Sequence, residues 1–208
     1  MSEAIHRQKQ STWPPGRPLA GRRWRKDMLR EVERTADGRV IKRYWIRPGA
    51  RRYPQPWVRE HEALKTLEGE GFPRSHGFTI DHDKSGTRIV FERDFVEGEP
   101  LEQCSTAEID ELAALMASIH SRGVITDDAR QENFVRDPDG RIRFIDFGRA
   151  LVFRQRTPRF YYRVGDELAR LHRETFHESD TDFRAFRNAY LRAAACGRAA
   201  RALIDLGY

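Results

Sequence analysis

Three polar residues carry the clearest chemical signal in the chain. Asp128 is followed five positions later by Asn133, and Asn133 thirteen positions later by Asp146. An acid, an amide and a second acid are all hard oxygen donors. Magnesium prefers such donors and keeps several of its waters, so one Asn and one Asp suffice to hold it. A carboxylate beside a hydroxyl can also orient it and take its proton. Phe134-Val135 and Ile142-Arg143-Phe144-Ile145 are short apolar runs on either side of Asp137-Pro138-Asp139-Gly140, a turn sequence. The pattern predicts a β-hairpin whose second strand delivers Asp146 to the same cleft as the other two residues. Taken singly, Asp, Asn and Gly are ordinary turn residues. Their agreement in order and distance gives them weight.

Other elements must position this segment. Arg39-Val40-Ile41-Lys42-Arg43-Tyr44 follows an Ala36-Asp37-Gly38 turn and reads as a strand. In the segment that follows, Ala63, Leu64 and Leu67 share one helical face, with Glu60 and Glu62 in the same turn. Phe78-Thr79-Ile80 and Arg88-Ile89-Val90-Phe91 flank residues 81–86, which predicts a hairpin. Ser105-Thr106-Ala107-Glu108 matches a capping box. The helix it opens carries Ile109, Leu112, Leu115, Met116 and Ile119, and Gly123 is its stop. His120 reads as a packed residue. Leu168, Leu171 and Phe176 mark one later apolar face, and Phe183, Phe186, Tyr190, Leu191 and Ala194 another. Arg184, Arg187 and Arg192 read as a solvated face.

The Asp128–Gly148 segment, closed by Asp146-Phe147-Gly148, resembles the catalytic core of the protein-kinase-like phosphotransferases. The resemblance implies an α+β, two-lobed fold: a small antiparallel N-lobe with one helix, and a reduced, mostly helical C-lobe. It divides the chain into a basic tail over 1–27, an N-lobe over 28–96 and a C-lobe over 97–208. It implies ATP and Mg²⁺ as cofactors. Asp128 would be the catalytic carboxylate, Asn133 and Asp146 the metal ligands. Lys42 would hold the α- and β-phosphates, and Glu60 would hold Lys42, with Glu62 as the rival. Glu92-Arg93-Asp94-Phe95-Val96-Glu97-Gly98 would join the lobes, with backbone groups of Asp94 and Val96 binding adenine.

Three departures narrow the family. Thr126-Asp127 stands where most protein kinases have His-Arg, so Asp127 competes with Asp128 for the catalytic role. No Ala-Pro-Glu follows Gly148. No phosphate-covering glycine loop is evident: Gly16 and Gly21 are the only glycines before Gly38, in a proline-containing stretch that reads as tail. Residues 123–134 and 142–146 are similar to the bacterial lipopolysaccharide core kinases of the heptose and Kdo type. That likeness covers about residues 28–175 of the 208. It implies transfer to a sugar hydroxyl of the core at the cytoplasmic face of the inner membrane. The small atypical RIO/Bud32-like serine/threonine kinases come next, with a protein acceptor. A nucleotide-binding pseudokinase is a third reading, which the presence of Lys42, Asp128, Asn133 and Asp146 disfavours.

Composition suits a soluble protein of a reducing cytoplasm. The chain is 38% hydrophobic and 34% charged, without an apolar run approaching the roughly 18 residues of a membrane span. Cys104 and Cys196 form no zinc pattern and need no disulfide. The net charge of +6 calls for an anionic partner. Arg22-Arg23-Trp24-Arg25-Lys26 and the arginines of 149–163 are its densest clusters. They suit an anionic sugar or glycolipid acceptor at a membrane surface. No nucleic-acid motif accompanies them, so nucleic acid is not favoured as a partner.

Overall fold

A computed structural model describes residues 17–25 (backbone only), 27–50, 54–69, 71–101, 104–177 and 179–208. These residues form an α+β fold with one five-stranded antiparallel sheet, a two-stranded and a three-stranded small sheet, and five α-helices.

The large sheet comprises β1 (Arg17–Arg25), β2 (Met28–Arg34), β3 (Arg39–Ile46), β4 (Ser75–Asp83) and β5 (Gly86–Asp94), in the order β1-β2-β3-β5-β4. Helix α1 (Pro56–Thr66) is inserted between β3 and β4. Strand register puts alternate residues on one face. Opposed pairs are Arg30–Tyr44 and Val32–Lys42 between β2 and β3, then Lys42–Phe91 and Tyr44–Ile89 between β3 and β5. This face packs on α1: Trp57, Ala63 and Leu64 are buried there, and the Trp57 and Tyr44 rings lie 5.1 Å apart. Glu60 points the same way and is fully buried, whereas Glu62 is exposed.

Two expectations need correction here. Arg17–Arg25, read from sequence as part of a tail, form an edge strand. Arginine-rich sequence suits such an edge, because charge discourages further strand pairing. Residues 1–16 lie outside the described residues. The 81–86 segment is mostly strand, with Asp83 paired to Gly86 and only Lys84-Ser85 left as the turn.

Beyond β5 come β6 (Glu99–Pro100), α2 (Thr106–Ser121), β7 (Val124–Ile125), β8 (Phe134–Arg136), β9 (Ile142–Phe144), β10 (Leu151–Val152), α3 (Pro158–Glu174), α4 (Asp180–Ala193) and α5 (Arg198–Gly207). The capping box forms: Glu108 Oε2 accepts from the Ser105 N–H and hydroxyl at 2.8 and 2.6 Å. Gly123 ends α2 at φ +78°. A Cβ there would overlap the Phe153 carbonyl oxygen, because β7 and β10 pair immediately beyond.

Leu112, Ala113 and Met116 of α2 share one buried cluster with Phe134, Phe144 and Phe147. Leu168, Leu171, Phe176, Phe183, Phe186 and Tyr190 are buried, as their spacing predicts. Arg184 and Arg192 are exposed, and Arg187 pairs with Asp205. Helix α5, whose sequence signal is weaker, packs on α3 through backbone. A Cβ on Gly165 would overlap the Ile204 carbonyl oxygen, and one on Gly207 the Tyr162 carbonyl oxygen. Gly165→Ala should therefore separate α3 from α5 and cost about 1–3 kcal/mol. An unchanged urea midpoint would remove the close approach as a stabilising feature. No helix among the described residues is long and apolar enough to cross a membrane.

Candidate active site

Lys42 lies at the middle of β3, on the face turned to α1. Its Nζ donates to Glu60 Oε1 and Oε2 at 2.8 and 2.7 Å, and to Asp146 Oδ1 at 3.1 Å. Arg93 of β5 shares Glu60, its Nε donating to Oε1 at 3.0 Å. Its other nitrogens reach the carbonyls of Asp94 at 2.7 Å and Ile145 at 2.9 Å. Arg30 of β2 completes the group, donating to Asp146 Oδ2 at 3.3 Å. Three cations thus surround two carboxylates. Removing either carboxylate would leave buried positive charge uncompensated.

Asp146 sits just past the hairpin that the sequence predicts. Phe134 pairs with Phe144, and Ile145 N–H donates to Asn133 O at 3.0 Å, so Asn133 and Asp146 flank the open end. Strand β9 stops at Phe144, one residue shorter than expected. The turn is closed by Gly140 N–H to Asp137 O at 2.9 Å, with Gly140 at φ +80°. Burial pushes the Asp146 carboxyl up, but Lys42 and then Arg30 outweigh it and hold the group well below the usual carboxylate range. A carboxyl held low adds stability above its unfolded value, near about 4, and loses it as pH falls through the depressed value. Asp146→Asn should flatten the acid limb of the urea midpoint below about pH 4. A limb as steep as that of wild type would show that other groups produce it.

The segment before the hairpin separates the two adjacent aspartates. Asp127 adopts φ +54°, a left-handed conformation costly for a residue with a Cβ. Its N–H donates to Glu167 Oε1 at 2.7 Å. Its carboxylate meets Arg163 at 2.8 Å, Arg149 at 3.6 Å and Arg170 at 3.9 Å. Asp127 is thereby tied into α3. Asp128 is not: its buried Oδ1 accepts no hydrogen bond among the described residues. Only charge contacts reach it, from Arg130 Nε at 3.2 Å and Arg149 Nη1 at 3.7 Å. A buried carboxylate oxygen without a hydrogen bond is costly unless a ligand supplies the donor. This geometry singles out Asp128 over Asp127.

Asn133 Nδ2 donates to the Asp128 carbonyl at 2.9 Å. The amide nitrogen is thus engaged, and the oxygen is the end suited to a cation. This oxygen and the Asp146 carboxylate are both hard donors of the type magnesium takes with retained waters. No cluster of three or more His, Cys, Asp or Glu suited to a metal occurs among the described residues.

Glu167 of α3 was not expected from sequence. It is buried and accepts from His120 Nε2 at 2.7 Å, Thr126 N–H at 3.3 Å, the Thr126 hydroxyl and Asp127 N–H. Burial opposes its charge, but the His120 ring and Thr126 hold the carboxyl below its ordinary value. His120 Nδ1 lies 2.8 Å from Tyr190 Oη, so His120 is packed, as expected. Arg30 and Arg93 were also missed, since basic residues at strand positions are common in this chain. The inward-facing register of β2 and β5 is the signal that could have found them.

The joining segment differs in part from expectation. Asp94 N–H donates to Arg74 O at 2.9 Å, and its carbonyl accepts from Arg93, so its backbone groups already have partners. Its carboxylate meets His76 at 2.7 Å. Asp94 thus closes the interior strand β5, with both backbone groups engaged inside the protein. Val96 follows in the irregular segment between β5 and β6, half-buried. No family model matches the chain, and no curated protein matches it.

Proposed function

We propose that the chain is an ATP- and Mg²⁺-dependent phosphotransferase with a two-lobed, protein-kinase-like architecture, acting on a sugar hydroxyl of lipopolysaccharide core. In this reading the β-sheet with α1 is the N-lobe and the helical remainder the C-lobe. The observation that carries it is the chain of contacts from Lys42 to Glu60 at 2.7 Å and to Asp146 at 3.1 Å. A buried lysine held by a helix glutamate beside a metal-suited carboxylate is the arrangement that protein-kinase-like phosphoryl transfer uses.

Lys42 neutralises the α- and β-phosphates, and Glu60 and Arg93 fix its position. Asp128 accepts the acceptor hydroxyl's hydrogen bond and takes its proton as the new oxygen–phosphorus bond forms. The bond from the γ-phosphorus to the bridging oxygen breaks, and ADP leaves. Asn133 and Asp146 would hold Mg²⁺, which when bound neutralises charge on the phosphates. Arg130 and Arg149 beside Asp128 favour an acceptor that is itself anionic.

A thermal melt with ATP and Mg²⁺ tests the donor. A raised midpoint is expected, and no nucleotide-dependent shift would overturn the enzyme reading. Labelled ATP offered with core oligosaccharide or with a generic protein tests the acceptor. Label in the oligosaccharide is expected. Label only in protein would replace the sugar acceptor with a serine/threonine one.

A further inference from the structure

The turn between β1 and β2 is unusual for a site that takes a triphosphate. Arg25 pairs directly with Met28, and no glycine lies between them. A glycine-rich turn would offer several backbone N–H groups to a phosphate. Without glycine the sequence here does not offer that kind of cradle. The anion must find its donors elsewhere.

Arg30 is placed to supply them. It stands on the same strand, two residues beyond Met28, opposite Tyr44 and on the face that carries Lys42. Its guanidinium reaches Asp146 Oδ2 at 3.3 Å, a long contact that uses one of its donors. Its Nε is buried and has no hydrogen-bond partner among the described residues. The side chain is 39% exposed, so a ligand in the cleft can reach it. The local charge agrees: Lys42, Arg30 and Arg93 exceed Glu60 and Asp146 by one positive charge. A guanidinium offers paired donors that match the geometry of phosphate oxygens.

We infer that Arg30 is a phosphate-binding residue, taking over from the side chain the part that backbone amides of a glycine turn would play. In the structure its guanidinium rests on Asp146. It turns to the nucleotide phosphates when ATP enters, which leaves Asp146 Oδ2 to a cation. The inference rests on the phosphotransferase reading and adds a residue to it.

The test measures binding by the full chain, not turnover. ATP and adenosine are titrated into wild type, Arg30→Gln and Arg30→Lys, with chelator and then with Mg²⁺. Arg30→Gln should weaken ATP binding without metal by roughly tenfold or more, the usual effect of losing a charge-assisted hydrogen bond. Adenosine binding should not change, and Arg30→Lys should recover part of the loss. Equal losses for ATP and adenosine would overturn the inference, making Arg30 a scaffold residue. So would an unchanged ATP affinity in Arg30→Gln. Wild type that binds neither ligand under either condition would instead overturn the phosphotransferase reading and this inference with it.

Discussion

Asp128→Ala is expected to abolish phosphoryl transfer while leaving the fold intact. The effect on rate should be large, because a positioned general base contributes about 10²- to 10⁴-fold. The effect on stability should be small and of either sign. Asp128 Oδ1 is buried without a hydrogen bond, and its ion-pair neighbours Arg130 and Arg149 are each more than 40% exposed. Solvent-screened pairs of this kind are worth little, and removing an unsatisfied oxygen offsets some of the loss. The discriminating measurement is paired: initial rate and urea midpoint on the same sample. An inactive variant of unchanged midpoint supports the assignment. Retained activity would pass the role to another base, and Asp127→Ala would then be the next variant. Asp127→Ala itself should lower the midpoint, since Asp127 is held by Arg163 and Arg149.

Glu167→Ala is expected to cost more stability than any other substitution discussed, about 3–5 kcal/mol. One carboxylate accepts hydrogen bonds from His120, from the backbone and hydroxyl of Thr126 and from the backbone of Asp127. Alanine leaves all of these buried donors without an acceptor, and a small domain is stable by only about 5–15 kcal/mol. The loss should also reach the chemistry, because the same bonds hold Asp127 in its left-handed conformation one residue before Asp128. Glu167→Gln keeps the shape and an amide oxygen, so it should fall between alanine and wild type. The Glu167 carboxyl lies below its ordinary value, so its contribution is present above about pH 4.5 and lost as pH falls through the lowered value. A Glu167→Ala midpoint within about 1 kcal/mol of wild type would mean that the Asp127–Asp128 segment is held by its arginines instead.

Sequence carried the local parts of this site well. The 134–144 hairpin was legible because a Pro-Asp-Gly turn lies between apolar runs, and α2 because its capping box and its 3.6-residue period agree. Lys42 and Glu60 could be paired by order along the chain, and the structure sets them 2.7 Å apart. What sequence left open depends on contacts between distant segments. Glu167 lies 41 residues from Thr126, and nothing in the Glu-Leu-Ala-Arg run around it distinguishes a buried carboxylate from a surface one. Arg30 lies 116 residues from Asp146, and one arginine among 38 basic residues gives no local sign that it faces inward. The edge strand β1 was missed for a related reason. Its arginines and Pro18 resemble a solvated tail, and only pairing with β2 makes it a strand.

The short ladder between β7 and β10 links the two halves of the cleft. Ile125 pairs with Leu151 and Val124 with Val152, and Phe153 N–H donates to Gly123 O at 2.8 Å. The chain that leaves Gly148 is thus clasped within a few residues to the chain that enters Asp128. Too little backbone lies between Gly148 and the clasp to swing out and back as a switch. In the proposed phosphotransferase the clasp would hold the segment after Gly148 at a fixed distance from Asp128, as a buckle holds a strap.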